Sequence, residues 1–259
     1  MVFVPVPGTK VQFCIWETRV QDFAVFVNAT GYDATQTVYS LAGGADGGWV
    51  QDGHTWKNPG FEQGPTHPVA GVSWNDANAF CAWLAGKEHN EGLIQTNQAY
   101  RLPTDAEWSA AIGLIKEDGR TPAAKAEMAD SSARTGALRA GRAMLSERTF
   151  AECAYPWGPQ WPPPKDFGNY AQDLDVDPYP FTAPVGSFRG NAAGLFDLSG
   201  NVWEWCEDLY VENSSCRVYR GGSFTRGLIQ SLASWARGYG EPNERYVNRG
   251  FRVVLTGAS

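Results

Sequence analysis

The chain has 259 residues, with 28 Asp and Glu against 21 Lys and Arg, a formal net charge of -7 and a pI near 5.0. That balance argues against a nucleic-acid backbone or an anionic membrane as the main partner, since either needs clustered Lys and Arg. Charged residues make up only 19 %, while 11 Trp, 29 Gly and 16 Pro point to one loop-rich domain, 1–259, with an aromatic core.

The opening MVFVPVPGTKVQF lacks a charged leader region and is broken by Pro5 and Pro7, and no apolar stretch approaches the roughly 18 residues of a membrane span. The expectation is a soluble chain without an export signal, cytoplasmic by default. Val2 to Ile15 alternate as a strand or hairpin. Thr18 then predicts a helix start, with Gln21 at the box position, Phe23, Phe26 and Val27 on one face and Gly31 as the stop. Residues 32–66 are rich in Gly, Asp, Tyr and Trp without a helical period and predict scaffold loop, with GGADGGW as an exposed tip.

Ser73 with Asp76 opens a second predicted helix, whose Ala77, Phe80, Cys81 and Leu84 recur at helical spacing. Thr104 with Glu107 opens a third, which places Trp108 in the core and runs to about Gly113. Residues 114–150 shift to Ala, Arg, Glu and Ser and form an insertion, helical in parts. The proline-dense run from Tyr155 to Gly186 cannot hold long regular elements, so turns, side chains or ions must satisfy its backbone. Cys14, Cys81, Cys153, Cys206 and Cys216 form an odd set without C-x-x-C spacing, which argues against zinc and for buried reduced thiols.

Three phrases dominate the C-terminal third: GLFDLSGNVWEW, YRGGSF and NRGFRVVL. The first predicts a tight turn feeding a strand. Asp197 and Glu204, with the carbonyls of Gly200 and Val202 between them, offer hard oxygens around a glycine turn and suit Ca²⁺. The same spacing equally fits an Asx-turn at Asp197 and an arginine partner for Glu204.

Together with HPVAGVSWNDANAFCAWL, YRLPTDAEW, YPWG and TAPVG, these phrases resemble the formylglycine-generating enzyme, or sulfatase-modifying factor, family. The resemblance covers nearly the whole chain except 114–150. It implies an α+β C-type-lectin-like fold with a small twisted antiparallel sheet. It also implies a second Ca²⁺ site at Gln172, Asp173, Asp177 and Tyr179, although the acidic run 173–177 reads equally as a solvated face.

Enzymes of this family bind copper through two cysteines after the RGGS phrase. Here Arg226 and Ser231 stand at the matching positions and no cysteine follows Cys216, so no soft thiolate pair is available for copper. A branch with histidine-bound iron is equally unsupported, because His54, His67 and His89 form no ligand spacing. No Gly-x-Ser-x-Gly elbow is present. The expectation is a chain that is not an enzyme.

Between the RGGS and GFR phrases stand Arg226, Trp235, Arg237, Tyr239, Tyr246 and Asn248 among glycines, a composition suited to an adaptable binding face. Leu228, Leu232 and Trp235 equally suit a core. The arrangement, over about 220–252, resembles the variable proteins of diversity-generating retroelements, which implies a protein or cell-surface ligand. FGE-like accessory or sensory domains of bacterial signalling systems and an FGE-like oxidoreductase are the alternatives.

Overall fold

The computed structural model describes residues 1–43, 48–114, 117–140 and 155–257, the side chains of 132–140 and Ile229 excepted. The tip at 44–47, the end of the insertion at 141–150 and Cys153 lie outside the described residues.

A short hairpin, β1 (Phe3–Pro5) and β2 (Gln12–Cys14), opens the chain. The first helix, α1 (Val20–Thr30), starts one residue later than the sequence predicts. Arg19 is the N-cap and Asp22 closes the box, while Gly31 ends the helix at φ 68°. Thr18 is unavailable as a cap because its backbone is bound on both sides, donating to Phe251 and accepting from Val69. The loop predicted for 32–66 contains two short strands, β3 (Val38–Leu41) and β4 (Trp49–Val50).

Helix α2 (Trp74–Asn90) has the predicted Ser73/Asp76 capping box, and its Phe80, Cys81 and Leu84 are buried. Strand β5 (Ala99–Arg101) leads into α3 (Asp105–Ala111), capped by Thr104 and Glu107 as predicted. Within the insertion lies α4 (Pro122–Ala140), tied to the domain where the Ala123 amide donates to the Tyr210 carbonyl. The proline-dense run contains one 3-10 turn, Gln172–Leu174, and no strand.

The remaining strands are β6 (Trp203–Leu209), β7 (Arg217–Arg220), β8 (Gly238–Gly240), β9 (Arg245–Tyr246), β10 (Arg249–Gly250) and β11 (Val254–Thr256). They complete three small sheets, ordered β1-β2-β11-β5, β10-β6-β7-β8 and β4-β3-β9. Strand β11 lies antiparallel to both β2 and β5, joining residues from both ends of the chain in one sheet.

The core is aromatic, as the composition implies. Phe23, Phe26, Phe80 and Phe251 meet mostly edge-on, with Phe23 and Phe80 stacked, and Trp56 and Trp205 around them. A second cluster gathers Phe13, Trp108, Leu195, Leu198 and Val254. Glycine is required at Gly200, where φ is +84° and a Cβ would collide with the Asn169 carbonyl. The Gly200 amide instead donates to the Gly221 carbonyl at 2.8 Å, which locks the GNVWEW turn to the RGGS turn.

Candidate functional site

Strands β6, β7 and β10 carry the walls of a concave surface. Trp203 on β6 packs edge-on against Tyr219 on β7, with ring centres 5.1 Å apart. Tyr219 lies directly opposite Gly238 of β8, where a Cβ would strike its ring, so the glycine lets the tyrosine lie across the strand. Arg249 stacks 4.4 Å from the Tyr219 ring and 4.0 Å from Tyr246, and it donates to the Tyr219 hydroxyl at 3.1 Å and Glu244 at 3.2 Å. Tyr246 in turn stacks on Tyr39 at 4.6 Å and meets Trp49 edge-on.

Two hollows adjoin on this surface. The smaller, about 140 Å³, lies among Trp49, Tyr246, Asn248 and Arg249, and the larger, about 320 Å³, among Asp130, Ser231, Trp235 and Arg237. Trp203, Tyr219 and Arg226 border both. Of the six predicted binding residues, Arg226, Trp235, Arg237, Tyr246 and Asn248 therefore share one surface. Tyr239 borders neither hollow: it is 54 % exposed and stacks on Tyr210.

Asn248 and Arg237 are fixed by hydrogen bonds and ion pairs, and Tyr246 by its ring contacts. The Asn248 amide donates to the Thr225 hydroxyl at 2.9 Å and is buried. The Arg237 side chain is fully buried, forked onto Asp105 at 2.8 and 2.9 Å and paired with Glu117 at 2.8 Å. Asp105 also takes Arg220 at 2.6 Å and Lys125 at 2.8 Å. Burial opposes its charge, yet Arg220, Arg237 and Lys125 outweigh it and hold the carboxyl well below the usual carboxylate range. Arg226 and Trp235 stand on this surface beside the fixed floor. Trp203, Tyr219 and Arg249 are the wall residues that sequence reasoning missed; each sits inside one of the family phrases and reads there as strand architecture.

Arg226 and Ser231 both border the larger hollow. Cys14, Cys81 and Cys206 are buried, and desolvation pushes all three thiols up, away from the thiolate form. Cys216 is bonded to Glu241 at 3.4 Å.

In the Asp197/Glu204 set, Glu204 is engaged by an arginine. Both Glu204 oxygens receive the Arg252 guanidinium at 2.6 Å, and one also accepts from the Trp108 indole at 3.1 Å. This is the arginine partner that the sequence offers for Glu204. Asp197 accepts the Gly186 amide at 2.7 Å through one oxygen, the other is buried without a partner, and burial pushes its carboxyl up to about 6. A third buried acid, Glu17, accepts from Asn201 at 2.7 Å and from the Val202 amide at 3.3 Å. Among the described residues no three His, Cys, Asp or Glu converge to hold a metal.

In the 172–179 loop, Asp177 accepts the Tyr170 and Tyr179 amides, each at 2.9 Å. Burial raises its pKa and no cationic side chain opposes it. Asp173 lies across the loop beside Gly227. No helix among the described residues is long and apolar enough to cross a membrane.

A formylglycine-generating enzyme of Thermomonospora curvata is 31% identical over 284 residues, spanning 90% of this chain and 78% of its own length. Among solved structures, PvdO of Pseudomonas aeruginosa superposes with a TM-score of 0.60 at 21% identity, covering 98% of this chain and 90% of that one. Treponema denticola variable protein 1 superposes at 0.52 with 19% identity, covering 98% and 91%. The family model described as a sulfatase-modifying factor enzyme 1-like domain matches residues 9–256, and the chain belongs to that family.

Proposed function

We propose that this chain is a non-catalytic ligand-binding protein that uses the paired hollows as its binding face, in the manner of the variable protein of a diversity-generating retroelement. The observation that carries the reading is that Arg226 and Ser231 occupy the larger hollow in place of a thiol pair. A guanidinium and a hydroxyl offer no soft ligand for copper, while the surrounding aromatic rings offer contact area at low entropy cost. The fixed floor formed by Arg249, Arg237 and Asn248 supports the same reading, because side chains above it can change without refolding. The likeness to a protein named a variable protein supports the scaffold. The partner is a protein or cell-surface ligand rather than nucleic acid, given the net charge of -7.

Incubation of the purified protein with copper, oxygen and a sulfatase-motif peptide should yield no formylglycine above a protein-free control. Sustained turnover would remove this reading. The retroelement aspect is tested separately in the surrounding DNA, where a near-duplicate of the codons for 220–252, differing at adenines and adjacent to a reverse transcriptase, is expected.

A Ca²⁺ held by Gln172, Asp173, Asp177 and Tyr179 belongs to this reading, its role being to fix loop geometry. EDTA should lower the melting temperature by several degrees, and Asp177→Asn should abolish that response. An identical melting curve with and without EDTA would leave Asp177 as the anchor of a hydrogen-bonded turn.

A further inference from the structure

Arg237 is compensated by Asp105 and Glu117, and Arg249 by Glu244. Arg226 differs from these two cations of the hollows. Its backbone is pinned, with its amide donating to the Ser223 carbonyl at 2.9 Å and its carbonyl accepting the Ala171 amide at 3.3 Å. Its side chain borders both hollows, none of its guanidinium nitrogens meets an acceptor among the described residues, and its Nε is buried without a partner. An arginine cannot shed its proton, so the terminal guanidinium nitrogens hold a charge that no acceptor among the described residues meets and that a ligand acceptor would satisfy.

We propose that Arg226 is a carboxylate receptor. The junction of the two hollows takes an aspartate or glutamate side chain of a protein partner, whose neighbouring carbons lie against the rings of Trp203 and Tyr219. This deepens the ligand-binding reading and rests on it.

Two observations favour a carboxylate over a phosphate. Arg226 is the only cation bordering the described hollows that lacks a carboxylate partner, so one negative charge is matched and two are not. The smaller hollow, about 140 Å³, suits a small planar group, and a guanidinium fork matches a carboxylate's two oxygens.

The test titrates sodium benzoate, benzamide and phenyl phosphate into the wild-type chain, Arg226→Gln and Arg226→Lys, reading the indole signals of Trp203 and Trp235. Benzoate should saturate, benzamide should bind at least tenfold more weakly, and Arg226→Gln should lose at least tenfold for benzoate while keeping the wild-type melting temperature. Arg226→Lys should retain part of the affinity, and added NaCl should weaken benzoate binding.

Equal binding of benzoate and benzamide, an unchanged Arg226→Gln, or no saturable benzoate response would overturn the assignment. So would phenyl phosphate binding tenfold tighter than benzoate. If Arg226→Gln does not fold, the lysine variant and the salt titration decide, and a salt-independent benzoate response overturns it. Failure here leaves the ligand-binding reading standing. Formylglycine turnover would instead remove that reading while the benzoate titration still reported on Arg226.

Discussion

Arg252→Met is expected to lower the melting temperature by roughly 6–20 °C, from a cost of about 3–5 kcal/mol for stranding a buried charge and a few degrees per kcal/mol in a chain of this size. Arg252 and Glu204 are both fully buried and joined by two 2.6 Å hydrogen bonds. Burial works against the Arg252 charge, but Glu204 outweighs it and holds the guanidinium above its usual range. The same guanidinium donates to the Phe196 carbonyl at 2.8 Å, so its loss also frees the turn before GNVWEW. Three acids, Glu17, Asp197 and Glu204, influence one another here beside this one cation. The double variant Arg252→Met with Glu204→Gln should therefore be more stable than Arg252→Met alone, because one of the stranded carboxylates is gone. Equal melting temperatures for the single and double variants would place the cost in packing rather than charge.

A comparable loss, about 3–5 kcal/mol, is expected for Asp105→Asn in urea unfolding at neutral pH, since two buried guanidiniums would lose their shared carboxylate. The linkage has a definite sign. The folded-state pKa of Asp105 is depressed, so its contribution is present above the unfolded value of about 4 and is lost as pH falls toward the folded value. The gap between wild type and Asp105→Asn should hold between pH 5 and pH 8, to take an approximate window, and narrow in acid. A gap that stays constant into acid would mean that shape, not the ionised carboxylate, is what Asp105 supplies. Because Arg237 borders the larger hollow and hangs on Asp105, the variant should also weaken ligand binding at the surface above it.

What the sequence disclosed follows the range of each interaction. The Ser73/Asp76 and Thr104/Glu107 boxes were legible because cap and box lie three residues apart. The start of α1 moved by one residue because Thr18 is held by Phe251, a partner from the far end of the chain. Strand β3 was read as loop because part of its pairing is with β9 at Arg245–Tyr246, which no local pattern announces. At the surface, Arg226, Trp235 and Tyr246 were legible by composition. The fixation of Arg237 was not, since its carboxylate lies 132 residues away. Trp203 and Tyr219 escaped notice because one ring in each serves both wall and core, and a sequence records only that it is aromatic. The arginine that meets Glu204 lies 48 residues away, beyond the reach of any local pattern.

The position of β11 between β2 and β5 has a consequence for how the chain acquires its structure. A ribosome releases β2 and β5 long before residues 254–256, so the hairpin and β5 wait with open edges until that strand has emerged. Closure then joins segments separated by most of the chain, which places refolding in the slow range typical of nonlocal topologies. The segment bearing the binding face lies within the stretch that must be spanned before this closure. Changes of side chain there leave the loop length untouched, and the closure entropy depends only on the logarithm of that length. Substitutions confined to the rim of the hollows should therefore leave the refolding rate nearly constant, so that a chain with a new surface still matures at the old speed.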